Sequence, residues 1–157
     1  MAEKIKFPCI QVAEGEINQR VITCGDPARA ELISKFFDDP VCMAKNREFW
    51  TFNGTYKGVP VSVTSHGVGC GGAAIAFESM WRAGAKVIIR VGTCGGMQPG
   101  IDAGSLVIAT AACREDGVTE KMIPLSYPAV ADMDVVRALE ESSGNLQLQA
   151  HSGIVLT

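Results

Sequence analysis

The hydrophobic positions of the chain switch repeatedly between the period of a strand and the period of a helix. Short apolar or alternating runs predict strands at residues 20–24, 48–56, 59–65, 87–92, 105–113 and 148–157. Helical spacing predicts helices at residues 26–37, 73–84 and 132–144. Because these strands and helices alternate along the chain, we expect an α/β fold with a mostly parallel central sheet.

Turn and capping residues define two of these boundaries more closely. Asp26 can cap the first helix, with Pro27 in its first turn. The strands at 48–56 and 59–65 are expected to form a hairpin that adds an antiparallel part to the sheet. Its turn is placed at Lys57-Gly58 rather than at Asn53-Gly54, because this choice keeps the alternating pattern of the second strand intact.

Each helix carries one apolar face that is expected to pack on the sheet. These faces comprise Leu32, Ile33, Phe36 and Phe37 in the first helix, Ala73, Ala76, Phe77, Met80 and Trp81 in the second, and Val135, Val136 and Leu139 in the third. No repeat or low-complexity segment interrupts this pattern, so residues 1–157 are interpreted as a single domain.

Composition and charge exclude several classes of function. The chain is 47% hydrophobic and 20% charged with a net charge of −3, which argues against nucleic-acid or membrane partners but allows a small anion site. No spanning run or signal-peptide core is found. The six cysteines and the histidines His66 and His151 show no metal-ligand spacing, so we expect free thiols, a cytoplasmic location and no metal site.

Arg90 interrupts the apolar strand within KVIIRVGTCGG, residues 86–96. An unpaired buried charge is costly, so Arg90 requires either a carboxylate, for which Glu78 is the candidate, or a ligand anion. Ligands of open α/β sheets bind at the carboxyl ends of the strands, where Arg90 lies. Thr93 and the glycine turn after it can hold an anion or simply bond their own loop.

Two further arginines lie beside turns. Arg29 falls in the first turn of a predicted helix, where a cation is unfavourable by about 0.3–1 kcal/mol. It is either a solvated side chain or, beside Gly25, part of an anion site at the helix N-terminus. Arg47 on position alone is a surface residue beside Glu48. A phosphate held by the guanidinium groups of Arg29 and Arg90 would explain why arginine occurs twice beside a glycine turn.

Five segments resemble the nucleoside phosphorylase / uridine phosphorylase family. They are VITCGDPARAELI, KNREFWTF, SHGVGCGG, AKVIIRVGTCGGMQPGI and YPAVADMD, in the order of the family and roughly at its spacing. The GDPxR and RxGTxG patterns together are quite specific. Residues 97–132 resemble the uridine phosphorylase branch in particular, although hexameric purine nucleoside phosphorylases share much of this stretch.

The resemblance implies a three-layer α/β/α fold with a mixed, mostly parallel sheet. It also implies cleavage of the N-glycosidic bond of uridine or a related nucleoside by inorganic phosphate, with no cofactor and no metal. Thr93 would also contact the ribose, and Cys9 stands where many relatives carry a histidine for the sugar of the adjacent subunit. Carried over position by position, the implied phosphate-binding residues are Gly25, Arg29, Arg47, Arg90, Gly92 and Thr93.

Subunit assembly and chain length also follow from the resemblance. Arg47 matches an arginine that reaches into the neighbouring subunit's site, which implies a homodimer with shared sites or a trimer of dimers. Family members run to well over two hundred residues, so residues 1–157 are expected to be the N-terminal portion of a longer domain. As a complete molecule, the chain would be expected to bind phosphate weakly and turn over nothing.

Three alternatives to a uridine phosphorylase stay open. One is a purine nucleoside phosphorylase of the hexameric type, and another is a nucleosidase of the same fold that uses water. The third is a non-catalytic paralogue or fragment. The intersubunit potassium site of bacterial uridine enzymes is not carried over, because Gly71-Gly72 replaces Pro-Ser.

Overall fold

The computed structural model describes residues 4–157, whose strands and helices fall into two units of the chain. The first unit ends at Thr93, and the second comprises Cys94–Thr157. The first contains β1 (Arg20–Cys24), α1 (Pro27–Ser34), β2 (Asp38–Asn46), β3 (Phe49–Tyr56), β4 (Val59–Ser65), α2 (Cys70–Ala83) and β5 (Val87–Arg90). The second contains β6 (Leu106–Cys113), a short 3-10 helix (Thr119–Lys121), α3 (Met133–Asn145) and β7 (Ala150–Leu156).

The first unit is built on a five-stranded sheet of order β2-β3-β4-β1-β5. β1 pairs in parallel with β4 on one side and with β5 on the other, whereas β2, β3 and β4 form an antiparallel meander. Thr23 of β1 is in register with both Thr64 and Arg90. The carboxyl ends of the three parallel strands therefore lie at the same edge of the sheet.

The two helices of the first unit cover opposite faces of this sheet. Ala76 and Met80 of α2 join a buried cluster that contains Val21 of β1. The neighbouring strand residues point the other way, and Cys24 joins a second buried cluster with Ala30 of α1. Since successive side chains of a strand alternate between faces, helix, sheet and helix form three layers in this unit.

The second unit pairs β6 and β7 in parallel, with α3 packed on both strands. Asp132 caps α3, because its side chain accepts hydrogen bonds from the backbone N–H groups of Asp134 and Val135, each at 3.0 Å. Val136 is the buried residue of the predicted apolar face. Within residues 4–157, no helix has the length and apolar character needed to cross a bilayer.

The hairpin and its turn agree with the sequence prediction. Lys57 and Gly58 connect β3 to β4 and both adopt positive φ, at 51° and 77°. Two consecutive positive φ values characterise the type I′ turn, whose twist matches that of a hairpin. Asn53 and Gly54 lie inside β3 as ladder residues. The choice of Lys57-Gly58 over Asn53-Gly54 is confirmed.

The predicted apolar stripe of the first helix is partly wrong. α1 ends at Ser34, and the next backbone N–H groups bond to carbonyls three residues back, as in Phe36 N–H to the Ile33 carbonyl at 3.0 Å. This tighter winding rotates the side chains, so Phe36 is 70% exposed while Phe37 is buried. Leu32 is also exposed, and so is Trp81 of the predicted α2 face.

Strand β2 was not predicted from the sequence. It begins with Asp38 and Asp39, contains Pro40, and is mostly exposed at the outer edge of the sheet. Its pairing with β3 shifts register between Asp38 and Val41, where Pro40 has no N–H to donate. An edge strand with this composition lacks the alternation that identifies a half-buried strand.

Met80→Ala is expected to reduce the free energy of unfolding of the first unit by about 2–5 kcal/mol, because Met80 is fully buried in the α2 cluster and its loss leaves a cavity. Urea denaturation followed by tryptophan fluorescence measures this, since Trp50 and Trp81 both lie in the first unit. Ile5→Ala is the control, with an expected change within about 0.5 kcal/mol at a 92% exposed position. Equal effects of the two substitutions would contradict this description of the core.

Candidate functional site

The candidate site lies where the three parallel strands of the first unit end. The chain leaves β1 through Gly25, leaves β4 through His66 and leaves β5 after Arg90. The His66 N–H donates to the Cys24 carbonyl at 2.9 Å, and the Val91 N–H donates to the Thr23 carbonyl at 2.8 Å. These bonds hold the residues that follow β4 and β5 against the end of β1.

The Arg90 side chain is held by His66. Its Nε donates a hydrogen bond to His66 Nε2 at 3.1 Å. Of the two alternatives for Arg90, the ion pair with Glu78 is not formed, because Glu78 accepts from Arg82 one turn along α2 at 2.6 Å. The interpretation of this segment as a buried strand is only partly right: β5 has only β1 as a neighbour in this sheet, its apolar residues are half-buried, and Arg90 is exposed at its end.

Two glycines of the predicted site allow close approach. A Cβ on Gly92 would lie 2.5 Å from Nη1 of Arg90, so the guanidinium group folds back over this residue. A Cβ on Gly25 would lie 3.1 Å from the Gly67 carbonyl oxygen and 3.8 Å from Cε1 of His66. Glycine at positions 25 and 92 therefore makes room for the side chains at the strand ends.

Arg29 and Arg90 both act on the same buried thiol. Burial raises the pKa of the Cys24 thiol, and the positive charges of Arg29 and Arg90 act in the opposite direction. Asp26 raises it too, but the Asp26 carboxylate also accepts from the Ala28 N–H at 2.9 Å as the cap of α1. Two arginines thus converge at the end of β1, and neither forms an ion pair among the described residues.

Burial also lowers the pKa of His66, and the positive charge of Arg90 lowers it further. His66 is 2% exposed and is therefore neutral at pH 7. Spacing along the chain shows no motif that includes His66. Its position directly after the strand at 59–65 was the available signal, because ligands and their supporting residues gather at the carboxyl ends of parallel strands.

The remaining predicted residues lie in two places. Thr93 is exposed three residues beyond β5, at the end of the first unit. Arg47 occupies the turn between β2 and β3 with φ of 50°, and its carbonyl accepts from Trp50 Nε1 at 2.9 Å. Cys9 is near this turn, since its carbonyl accepts from Asn46 Nδ2 at 2.7 Å. Among the described residues, no hydrogen bond links Arg47 or Cys9 to Arg90 or Arg29.

An apolar cavity of about 600 Å³ lies away from this site. It is lined at the amino ends of the same strands by Arg20, Val59 and Val87, together with aromatic side chains such as Phe36 and Phe37. Arg20 and Lys57 are the charged residues of its otherwise mostly apolar lining. The residues described here also contain no cluster of three His, Cys, Asp or Glu side chains that could hold a metal ion.

The groups at the strand-end site are of the kinds that can bind an oxyanion. The site presents two guanidinium groups, glycines that allow close approach and a neutral buried histidine.

A model of the Phosphorylase superfamily matches residues 19–157. The chain belongs to this superfamily. The family resemblance inferred from the five segments is therefore confirmed.

The names of similar proteins refer to different nucleosides. The chain is 44% identical over 140 residues to a uridine phosphorylase of Thermococcus kodakarensis, covering 89% of this chain and 50% of that protein. It is 35% identical over 152 residues to a guanosine phosphorylase of Halorubrum lacusprofundi, covering 97% of this chain and 63% of that protein. The chain thus spans between half and two thirds of the length of these relatives.

A solved phosphorylase has the same fold. The purine nucleoside phosphorylase of Toxoplasma gondii, crystallised with immucillin-H, superposes with a TM-score of 0.94 at 37% identity. The match covers 100% of this chain and 64% of that structure. The expected α/β fold with a mixed sheet and flanking helices is confirmed.

Gly92→Ala is expected to weaken phosphate binding at least about tenfold, because the new Cβ displaces the guanidinium group of Arg90 and its charge-assisted hydrogen bonds. The clash is with the end of a flexible side chain, so the variant should fold normally. Calorimetric titration with phosphate measures the affinity. Gly71→Ala is the control, since nothing lies within 4 Å of its Cβ position. Unchanged affinity in Gly92→Ala would show that Arg90 does not bind phosphate in this conformation.

Proposed function

We propose that this chain provides the phosphate-binding part of a nucleoside phosphorylase, which cleaves the N-glycosidic bond of uridine or a related nucleoside and forms ribose 1-phosphate. The convergence of Arg29 and Arg90 at the carboxyl end of β1 supports this most directly. Two cations without carboxylate partners favour a multiply charged anion there. Membership of the superfamily supports phosphate as that anion.

The proposed reaction requires orientation and charge rather than a covalent protein nucleophile. A phosphate oxygen attacks the anomeric carbon while the C–N bond breaks, and the electron pair of that bond leaves with the base. Positive charge builds on the sugar in the transition state, so the bound phosphate dianion stabilises it. Arg29 and Arg90 would fix this dianion beneath the sugar, which is catalysis by proximity and preorganised electrostatics.

The neighbouring residues take supporting roles in this proposal. Gly25 would offer its backbone N–H to the phosphate at the start of α1, and Gly92 would make room for Arg90. Thr93 would donate its hydroxyl to the phosphate or the ribose. No cofactor is required, because the proposed electrophile and nucleophile are both substrates.

The proposed assembly is a homodimer, or a trimer of dimers, with shared sites. Arg47 supports it, because it is exposed on the β2–β3 turn and makes no ion pair or side-chain hydrogen bond within the described part of the chain. Its positive φ of 50° is a conformation uncommon for residues other than glycine, which points to a functional constraint on the turn. Cys9, near the same turn, would approach the neighbour's ribose.

Uridine is the proposed nucleoside substrate, and a purine nucleoside is the alternative. The 44% identity to a protein named uridine phosphorylase favours uridine, whereas relatives named guanosine and purine nucleoside phosphorylases keep the alternative open. A cytoplasmic location belongs to the same proposal and is supported by free thiols at Cys9, Cys24, Cys42, Cys94 and Cys113. The assignment of residues 1–157 to one domain stays a prediction.

Release of free base is expected to require phosphate, and Arg90→Ala is expected to lower kcat/KM at least about 100-fold through the loss of two charge-assisted hydrogen bonds. Chromatography of reactions with uridine, inosine and guanosine, with and without phosphate, measures both. Arg82→Ala is the control, because Arg82 lies on the exposed side of α2. Equal release in phosphate-free buffer would favour a nucleosidase, and no release in either buffer would favour a non-catalytic chain.

Arg47 and Arg90 variants are expected to complement each other if the sites are shared between subunits. Each single Ala variant should be nearly inactive. Co-expression in equal amounts should restore about a quarter of the wild-type activity, since half of the dimers are mixed and each mixed dimer has one intact site. Turnover of co-purified, differently tagged subunits measures this. Failure to recover activity in confirmed mixed dimers would place Arg47 in its own subunit's site or outside any site.

A further inference from the structure

His66 is fixed from several sides at the end of β4. Its backbone N–H bonds to the Cys24 carbonyl at 2.9 Å, and its ring packs edge-to-face against Phe77 of α2 with 6.1 Å between ring centroids. The Cε1 edge of the ring faces Gly25. A ring held in this way has one orientation, so its Nε2 atom lies at a fixed point beside the strand ends.

The hydrogen bond from Arg90 determines the tautomer of this ring. Arginine stays protonated in proteins, so Nε is a donor and His66 Nε2 must accept. The proton of the neutral imidazole is therefore on Nδ1. Nδ1 is buried and makes no hydrogen bond of good geometry in the described structure, although the backbone of His66 and Gly67 lies close enough to favour a proton on the ring.

The same contact leaves the outer edge of the guanidinium group unused. Nε is bonded to His66 and Nη1 lies against Gly92, so the plane of the group is set at two points. Among the described residues, neither Nη atom has a hydrogen-bond or ion-pair partner. Two parallel N–H groups are the donors that a phosphate or carboxylate accepts in bidentate geometry.

We propose that His66 is a positioning residue for phosphate binding: as a neutral acceptor it orients Arg90 so that both Nη groups face the anion. This role rests on the proposed function of Arg90 as a phosphate ligand. His66 itself does not touch the phosphate. Its contribution passes through Arg90, and a side chain of similar size with an acceptor oxygen can replace it.

The test is a double-mutant cycle on phosphate affinity, measured by calorimetric titration with inorganic phosphate at pH 7.5. His66→Leu should weaken binding about fivefold by removing one hydrogen bond, and His66→Gln should stay within about twofold because its amide oxygen can accept from Arg90 Nε. In the Arg90→Ala background, His66→Leu should change affinity by less than about twofold, since its partner is already absent. His151→Gln is the control, because His151 is the other histidine of the chain and lies in the second unit.

The outcomes separate this role from the proposed function. If wild type does not bind phosphate, both the function and the role of His66 are wrong. If wild type binds and His66→Leu does not weaken binding, or the two substitutions have additive effects, only the positioning role is wrong. Nitrogen-15 NMR of wild type gives a reading that needs no variant to fold: at pH 7.5 the His66 ring should carry its proton on Nδ1, and a proton on Nε2 would overturn the inference.

Discussion

The hydrogen bond from Arg90 to His66 joins the ends of β5 and β4, two strands that do not pair with each other. β1 lies between them, so the two strand axes are about 9–10 Å apart. A long arginine side chain can cross this distance only if β1 ends beneath it and its next residue is small. Gly25 meets this condition, and the parallel register of β1 with both neighbours sets the height at which all three strands end.

Arg29 and Arg90 form no ion pair with a described carboxylate, although Asp26 and Glu48 both lie near this edge. Arg29 and Arg90 both favour the thiolate form of Cys24, but burial raises the pKa of its thiol, so Cys24 supplies no anion at neutral pH. The Asp26 carboxylate accepts from the first turn of α1, and Glu78 is paired with Arg82. Two arginines that form no ion pair with a protein carboxylate are well suited to a ligand that carries two negative charges, such as the phosphate dianion.

Sequence patterns predicted the central strands, the Lys57-Gly58 turn and the cap at Asp26, because each depends on local periodicity or one residue's chemistry. Strand β2 could not be predicted from its own sequence, because it lacks an alternating apolar pattern and is kept extended by its pairing with β3. Position also identified Arg90, but the protein partner considered for it, Glu78, is near in sequence, whereas His66, which accepts from it, is 24 residues away. Such a contact requires the register of three strands, which a single sequence does not specify.

The hydrogen bond to His66 also explains why position 90 is arginine rather than lysine. Its Nε bonds to His66 while two Nη groups remain, so one side chain is both held by the protein and able to bind an anion. A lysine ammonium could donate to His66 or bind an anion, but its donors rotate about one bond and would not present a fixed plane to the anion. Arg90 is also exposed, and exposed charges are screened by salt. If this edge binds phosphate as proposed, its selectivity would therefore come from the fixed orientation of donors more than from charge alone.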